Sequence, residues 1–81
     1  MLSLEEVQRL NRALGERING EALADPTSPY AGKFVGIADG QVAVVADDLH
    51  TMSRRLREIE PDHRRVGWIE ASRDYSKVER V

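Results

Sequence analysis

The strongest constraint on the fold is a pair of β-prone runs on either side of Asp39-Gly40. The runs are 33–38 (KFVGIA) and 41–46 (QVAVVA). An Asp-Gly pair between two such runs predicts a β-hairpin with a type I′ turn, because both central residues of that turn need positive φ. These fourteen residues therefore predict two neighbouring antiparallel strands.

The register expected across this turn makes both faces of the hairpin apolar. It joins Ala38 with Gln41, Ile37 with Val42, and Val35 with Val44. One face would then carry Val35, Ile37, Val42 and Val44, and the other Phe34, Gly36, Ala43 and Val45. A hairpin with one wet face would alternate apolar with polar residues. Both faces are therefore expected to be covered, by the helices of the same chain or by a second subunit.

A helix is expected over 1–24, before the hairpin. Ser3 followed by Glu6 is a capping box, and an apolar stripe recurs at spacings of three and four. The stripe consists of Leu4, Val7, Leu10, Leu14 and Ile18. Asn19-Gly20 is one expected end of the helix. Asp25-Pro26 is the limit, because proline disfavours helical backbone in the residue before it.

A second helix and a third strand are expected after the hairpin. Asp47 or Asp48 caps the helix, its stripe is Leu49, Met52, Leu56 and Ile59, and Pro61 closes it. Residues 65–70 (RVGWIE) have the pattern of a strand. The tail, 71–81, is expected to be a short helix, a swapped arm or a frayed end. The prediction is one α+β domain over 1–81: an α-β-β-α-β chain with a 33–70 ββαβ core, its three-stranded mixed sheet packed by two helices.

Composition excludes several classes of protein. A chain of 81 residues with 12 basic and 14 acidic side chains fits a soluble globular domain. The absence of cysteine excludes disulfides and thiolate metal sites. The longest apolar run, 42–46, is far shorter than the ~20 residues of a membrane span, and Glu5 and Glu6 do not fit a signal peptide. A cytoplasmic protein without membrane contact is expected.

The hairpin also resembles a known family. Tyr30 to Ile37 (YAGKFVGI) is similar to the motif Tyr-x-Gly-Lys-(Trp/Phe)-Val-x-Ile of small prokaryotic domains of unknown function. The resemblance covers residues 28–70, with Gly36 where the family often has alanine and Val45 where it often has another residue. It implies a ββαβ shape. It transfers no catalytic residue, because that family has no assigned activity.

No enzymatic chemistry is predicted. Gly32-Lys33 lacks the earlier glycine and the following Ser or Thr of a phosphate-binding loop. His50 and His63 are too few for a zinc site, which needs three or four converging ligands. Carboxylates are scattered, and no nucleophile elbow occurs. We therefore expect no catalytic residue, no cofactor and no metal.

Three functional hypotheses remain open, all of them non-enzymatic. The first is a homodimeric protein–protein interaction module, with candidate interface residues Leu10, Leu14, Phe34, Val45 and Trp68. The second is an antitoxin-like regulatory nucleic-acid binder, or a protein that docks on an acidic partner, through Arg54, Arg55, Arg57, Arg64 and Arg65. Shape alone suggests the antitoxin analogy. A larger protein partner, such as a toxin, is a further expectation, to which a strand edge or the tail would bind.

Overall fold

The predicted hairpin is present, and a third strand extends it into a sheet between two helices. A computed structural model describes residues 2–75. The order is α1 (Leu4–Ala24), β1 (Phe34–Ala38), β2 (Gln41–Ala46), α2 (Leu49–Ile59), a 3₁₀ turn (His63–Arg65) and β3 (Val66–Glu70). The predicted α-β-β-α-β order and α+β fold are confirmed. The tail beyond residue 75, with its three alternatives, lies outside the described residues.

The sheet has the order β2-β1-β3, and β1 is antiparallel to both of its neighbours. β3 therefore runs parallel to β2 and lies beside β1. The expectation of a mixed sheet was wrong. Because β1 separates the two parallel strands, both neighbouring pairs are antiparallel.

A β-bulge changes the predicted register of the hairpin. Asp39 and Gly40 have φ values of 52° and 79°, which fit a type I′ turn, and the first two pairs are as predicted. The ladder then shifts at Ala43, so that Gly36 pairs with Val44 and Val35 with Val45. The predicted pairing of Val35 with Val44 is therefore wrong. The extra residue moves Val44 to the face of Gly36 and Val45 to the face of Val35.

Helix α1 covers one face of the sheet and lies above the gap between β1 and β3. A Cβ built on Gly15 would lie 3.7 Å from Ile37 Cδ1 on β1 and 3.9 Å from Ile69 Cδ1 on β3. The buried side of α1 consists of Val7, Asn11, Gly15, Ile18 and Ala22. This buried side is rotated about the helix axis relative to the predicted apolar stripe, so that Leu10 and Leu14 are only half-buried. Ser3 accepts a hydrogen bond from Glu6 N–H, as the capping box predicts.

Helix α2 covers the opposite face and lies above β1 and β2. Met52 and Leu56 are buried against Val44 and Ala46. The helix comes close to β1 because Gly36 has no side chain: a Cβ there would lie 3.1 Å from a Leu56 methyl carbon. Asp48 caps the helix by accepting from Thr51 N–H.

The two helices are displaced from the centre of the sheet in opposite directions, α1 toward β3 and α2 toward β2. α1 packs mainly on β3 and α2 on β2 and β1. Each hairpin face is therefore covered from within the chain, as one of the sequence alternatives expected. The same displacement leaves the α2 side of β3 and the α1 side of β2 only partly covered.

Candidate interaction edge

The outer edge of β3 presents backbone groups that no strand among residues 2–75 pairs with. Arg65 C=O accepts from Asp39 N–H at 3.1 Å, and Ala71 N–H donates to Lys33 C=O at 2.9 Å. The residues that bracket β3 therefore turn their backbone groups toward β1. Because direction alternates along an antiparallel strand, the intervening even-numbered residues Val66, Trp68 and Glu70 turn theirs outward. We call this row the β3 edge.

Trp68 lies at the middle of the β3 edge and is 51% exposed. It pairs with Gly36 of β1, so its side chain lies on the α2 side of the sheet. Its ring contacts Phe34 with a centroid separation of 6.3 Å in a tilted geometry. Half of a large aromatic side chain therefore remains in water at the sheet edge, an arrangement typical of interaction surfaces.

Two grooves flank the β3 edge, one on each side of the sheet. The α1 groove lies between α1 and β3; its walls include Gln8, Arg12, Glu16 and Gly67. The α2 groove lies between α2 and β3; its walls include Ser53, Leu56, Arg57 and Val66. His63 and Trp68 line both grooves. An added strand would thus have room for side chains on both of its faces.

The amides of two asparagines on α1 hold both ends of β3. Asn11 Nδ2 donates to Arg65 C=O at 3.1 Å, while its Oδ1 accepts from Gly40 N–H at 2.7 Å. Asn19 Nδ2 donates to the carbonyls of Ala71 and Arg73, each at 2.8 Å. Sequence reasoning missed both residues. The signal available was that Asn11 lies four residues after Val7 on the apolar side of α1.

The arginine cluster predicted between 54 and 65 is divided in the structure. Arg65 forms ion pairs with Asp39 at 2.7 Å and Glu60 at 3.9 Å, and Arg64 with Asp62 at 3.0 Å. Hydrogen bonds from the Arg64 side chain and backbone lower the pKa of Asp62 to about 2. These two arginines are therefore largely neutralised.

The other three arginines of the cluster project from α2. Arg54, Arg55 and Arg57 are exposed, and none has an ion pair among residues 2–75. Arg57 alone of the three lines the α2 groove. The positive surface that remains is therefore smaller than the sequence predicted.

The five candidate interface residues lie on opposite sides of the sheet. Phe34 and Trp68 are in contact on the α2 side. Leu10 packs over Gly40, and Leu14 packs against the core beneath α1. Val45 pairs with Val35 and is 38% exposed on the α1 side of β2. One flat surface cannot include all five.

The described residues bring no metal-binding group together: none of their His, Asp and Glu side chains converge in threes. His50 is exposed in the first turn of α2, and His63 lies in the 3₁₀ turn. Within residues 2–75, neither helix has the length and apolar character needed to cross a membrane.

No protein-family model, curated protein or solved structure matches this chain. The resemblance of residues 28–70 to the small prokaryotic domain family therefore stays a prediction.

Proposed function

We propose that this chain is a non-enzymatic protein–protein interaction module that forms a homodimer through the β3 edge. The observation that carries the proposal is a regular strand edge, unpaired by any strand within residues 2–75, with a half-exposed tryptophan at its centre. Addition of a strand to such an edge gains main-chain hydrogen bonds, and the flanking grooves accommodate the alternate side chains.

The physical basis differs from the one that the sequence suggested. The two apolar faces of the hairpin need no second copy, because α1 and α2 cover them. What remains to be covered is an edge. Exposed regular edges template unwanted pairing, so proteins usually blunt them with bulges, lysines or prolines. β3 contains none of these, and its unbroken register supports a role in which the edge is used.

A matched pair of lysine variants tests this proposal. Trp68→Lys places a charge in the middle of the β3 edge, whereas Val45→Lys places the same charge at a partly exposed position on β2. We expect wild type and Val45→Lys to sediment as concentration-dependent dimers at micromolar concentration. Trp68→Lys is expected to sediment as a monomer of about 9 kDa. Monomeric wild-type protein, or equal weakening by both variants, would contradict the proposal.

Nucleic-acid binding is the second candidate function, favoured by the free arginines of α2. Three guanidinium groups on one short helix suit contact with phosphates. Arg64 and Arg65 contribute less than the sequence predicted, because Asp62, Asp39 and Glu60 pair with them.

Anisotropy titration with a labelled duplex at low salt tests this candidate. Since Arg54 and Arg55 do not line the α2 groove, the variant Arg54→Ala/Arg55→Ala separates the two functions. The candidate predicts about a tenfold loss of affinity in this variant with the dimer intact. Absence of binding by wild type at low salt would reject it.

A further inference from the structure

We propose that the second copy pairs in one register, with Trp68 opposite the partner's Trp68 and Arg57 facing the partner's Glu70. This inference rests on the proposed function and names the specificity of the same edge. It follows from the row of outward backbone groups, from an arginine without an ion pair in the described chain, and from the position of α1.

The row of outward residues favours a twofold axis at Trp68. An antiparallel copy centred there pairs Val66 with the partner's Glu70, and Glu70 with the partner's Val66. Val66, Trp68 and Glu70 then all form hydrogen-bonded pairs. If the partner strand is shifted by two residues in either direction, one outward residue of each strand lies beyond the end of the other strand and has no partner there. The centred register is therefore the one that satisfies the whole edge.

Charge complementarity favours the same register. Val66, Trp68 and Glu70 pair with Ala38, Gly36 and Phe34, so their side chains lie on the α2 side. In the centred register the partner's Glu70 lies beside Val66, and Val66 and Arg57 both line the α2 groove. Arg57 has no ion pair within residues 2–75, and Glu70 has only a distant one, 3.9 Å from Arg73.

The position of α1 fits a second copy on the other side of the sheet. Neighbouring strands lie about 5 Å apart. At Gly15, α1 lies above the gap between β1 and β3, so this point of the helix is displaced from the twofold axis by about one strand spacing. The two copies of α1 would then be about 10 Å apart at this point, which is an ordinary helix-packing distance. Arg12 and Glu16 line this side of α1, so the helix presents one positive and one negative side chain toward the axis.

One contact of the free chain must open in this assembly. Glu70 N–H donates to the Tyr75 hydroxyl at 3.2 Å. In the centred register that N–H donates to the partner's Val66 carbonyl instead. Tyr75 thus competes with the partner for the end of the edge, and Tyr75→Phe is expected to lower the dimer Kd severalfold.

Charge exchange across the interface tests the register. Arg57→Glu and Glu70→Arg each turn both proposed ion pairs into like-charge contacts, so each variant alone should dimerise at least about tenfold more weakly. An equimolar mixture restores both pairs, and so does the variant that carries both changes. Native mass spectrometry should therefore show mainly the mixed dimer, and sedimentation of the double variant should give a Kd near that of wild type. Arg54→Glu is the matched control, because it makes the same change on α2 outside the groove.

The outcomes separate this inference from the proposed function. One outcome would overturn the register alone. In it, the wild-type dimer is lost in Trp68→Lys, Arg57→Glu and Arg54→Glu weaken it equally, and mixed dimers are not preferred. The β3 edge would then remain the interface, but in a different register. Monomers in every sample, including wild type, overturn both. If circular dichroism shows that a charge variant is unfolded, Tyr75→Phe still tests whether Glu70 N–H bonds the partner, which the centred register requires. A lower Kd supports it, and an unchanged Kd contradicts it.

Discussion

The two edge strands of this small sheet, β2 and β3, have the same neighbour, β1, but differ in how well they are protected against pairing with another strand. β2 and β3 both pair with β1 on one side, and no other strand of the described chain pairs with them. β2 is interrupted by the bulge at Ala43, whereas β3 pairs with β1 without a shift. A bulge twists a strand and disturbs the spacing of its outward groups, which makes edge-to-edge pairing unfavourable. The comparison indicates that β2 is the protected edge and β3 the one available to a partner.

The two edges also differ in how they are held. Asn11 and Asn19 of α1 fix both ends of β3 through hydrogen bonds to backbone carbonyls. Asn11 also accepts from Gly40 N–H in the turn before β2. At the other end of β2 the side-chain contact is the ion pair of Lys33 and Asp47, and the Asp47 side chain is 81% exposed. Surface ion pairs contribute little to stability, whereas hydrogen bonds to buried groups contribute more. Side-chain amides thus hold β3 at both ends and β2 at one end.

The largest expected effect tests this difference in anchoring. Asn19→Ala removes the donor to the carbonyls of Ala71 and Arg73, both just beyond β3, and it should lower the free energy of unfolding by about 2 kcal/mol. Asp47→Ala at the β2 end should lower it by less than about 0.5 kcal/mol. Urea unfolding of both variants measures the two values. Similar losses would show that the two edges are held equally.

The next effect tests the protection of β2. In the Trp68→Lys background, deletion of Ala43 removes the bulge and leaves the faces of Val42 and Val44 unchanged. A regular β2 edge should then pair, so self-association should become about tenfold stronger than in Trp68→Lys alone, a change of about 1.4 kcal/mol. Sedimentation over a range of concentrations measures it. A folded monomer at every concentration would show that the bulge does not protect β2.

The smallest effect concerns the 3₁₀ turn that leads into β3. Asp62 accepts from Arg64 N–H and from the Arg64 guanidinium, which lowers the pKa of Asp62 from 3.8 to about 2. A lowered carboxyl pKa stabilises the folded chain above the unfolded value, and this stabilisation is lost as the pH falls through about 2. Wild type should therefore lose slightly more stability than Asp62→Asn between pH 5 and pH 2.5. Parallel losses in urea unfolding would contradict this role of Asp62.

Local patterns in the sequence were sufficient to predict the elements of the fold. The turn follows from the positive φ that Asp39 and Gly40 adopt, and the start of α1 follows from the side chain of Ser3. Both are properties of a few neighbouring residues. For this reason the order α-β-β-α-β could be predicted without knowledge of the packing.

The edge and its register depend on contacts between distant residues. The bulge at Ala43 cannot be predicted from an alternation of apolar and polar residues, because all residues in 42–46 are apolar and either register buries apolar groups. The buried side of α1 includes Asn11, whose partners Gly40 and Arg65 are far away in the sequence. The sequence predicts Trp68 as an interface residue, but its place on an open edge depends on the order β2-β1-β3.

Hydrogen exchange at the Trp68 amide tests the central claim most directly. This N–H points away from β1 and lies at the middle of the β3 edge, so only an added strand would protect it. At concentrations above the dimer Kd, we predict slow exchange of the Trp68 amide, which becomes fast on dilution below it. The Val42 amide on the β2 edge should exchange fast at both concentrations. Fast exchange at Trp68 in a sample that sedimentation shows to be dimeric would contradict the β3 edge as the interface.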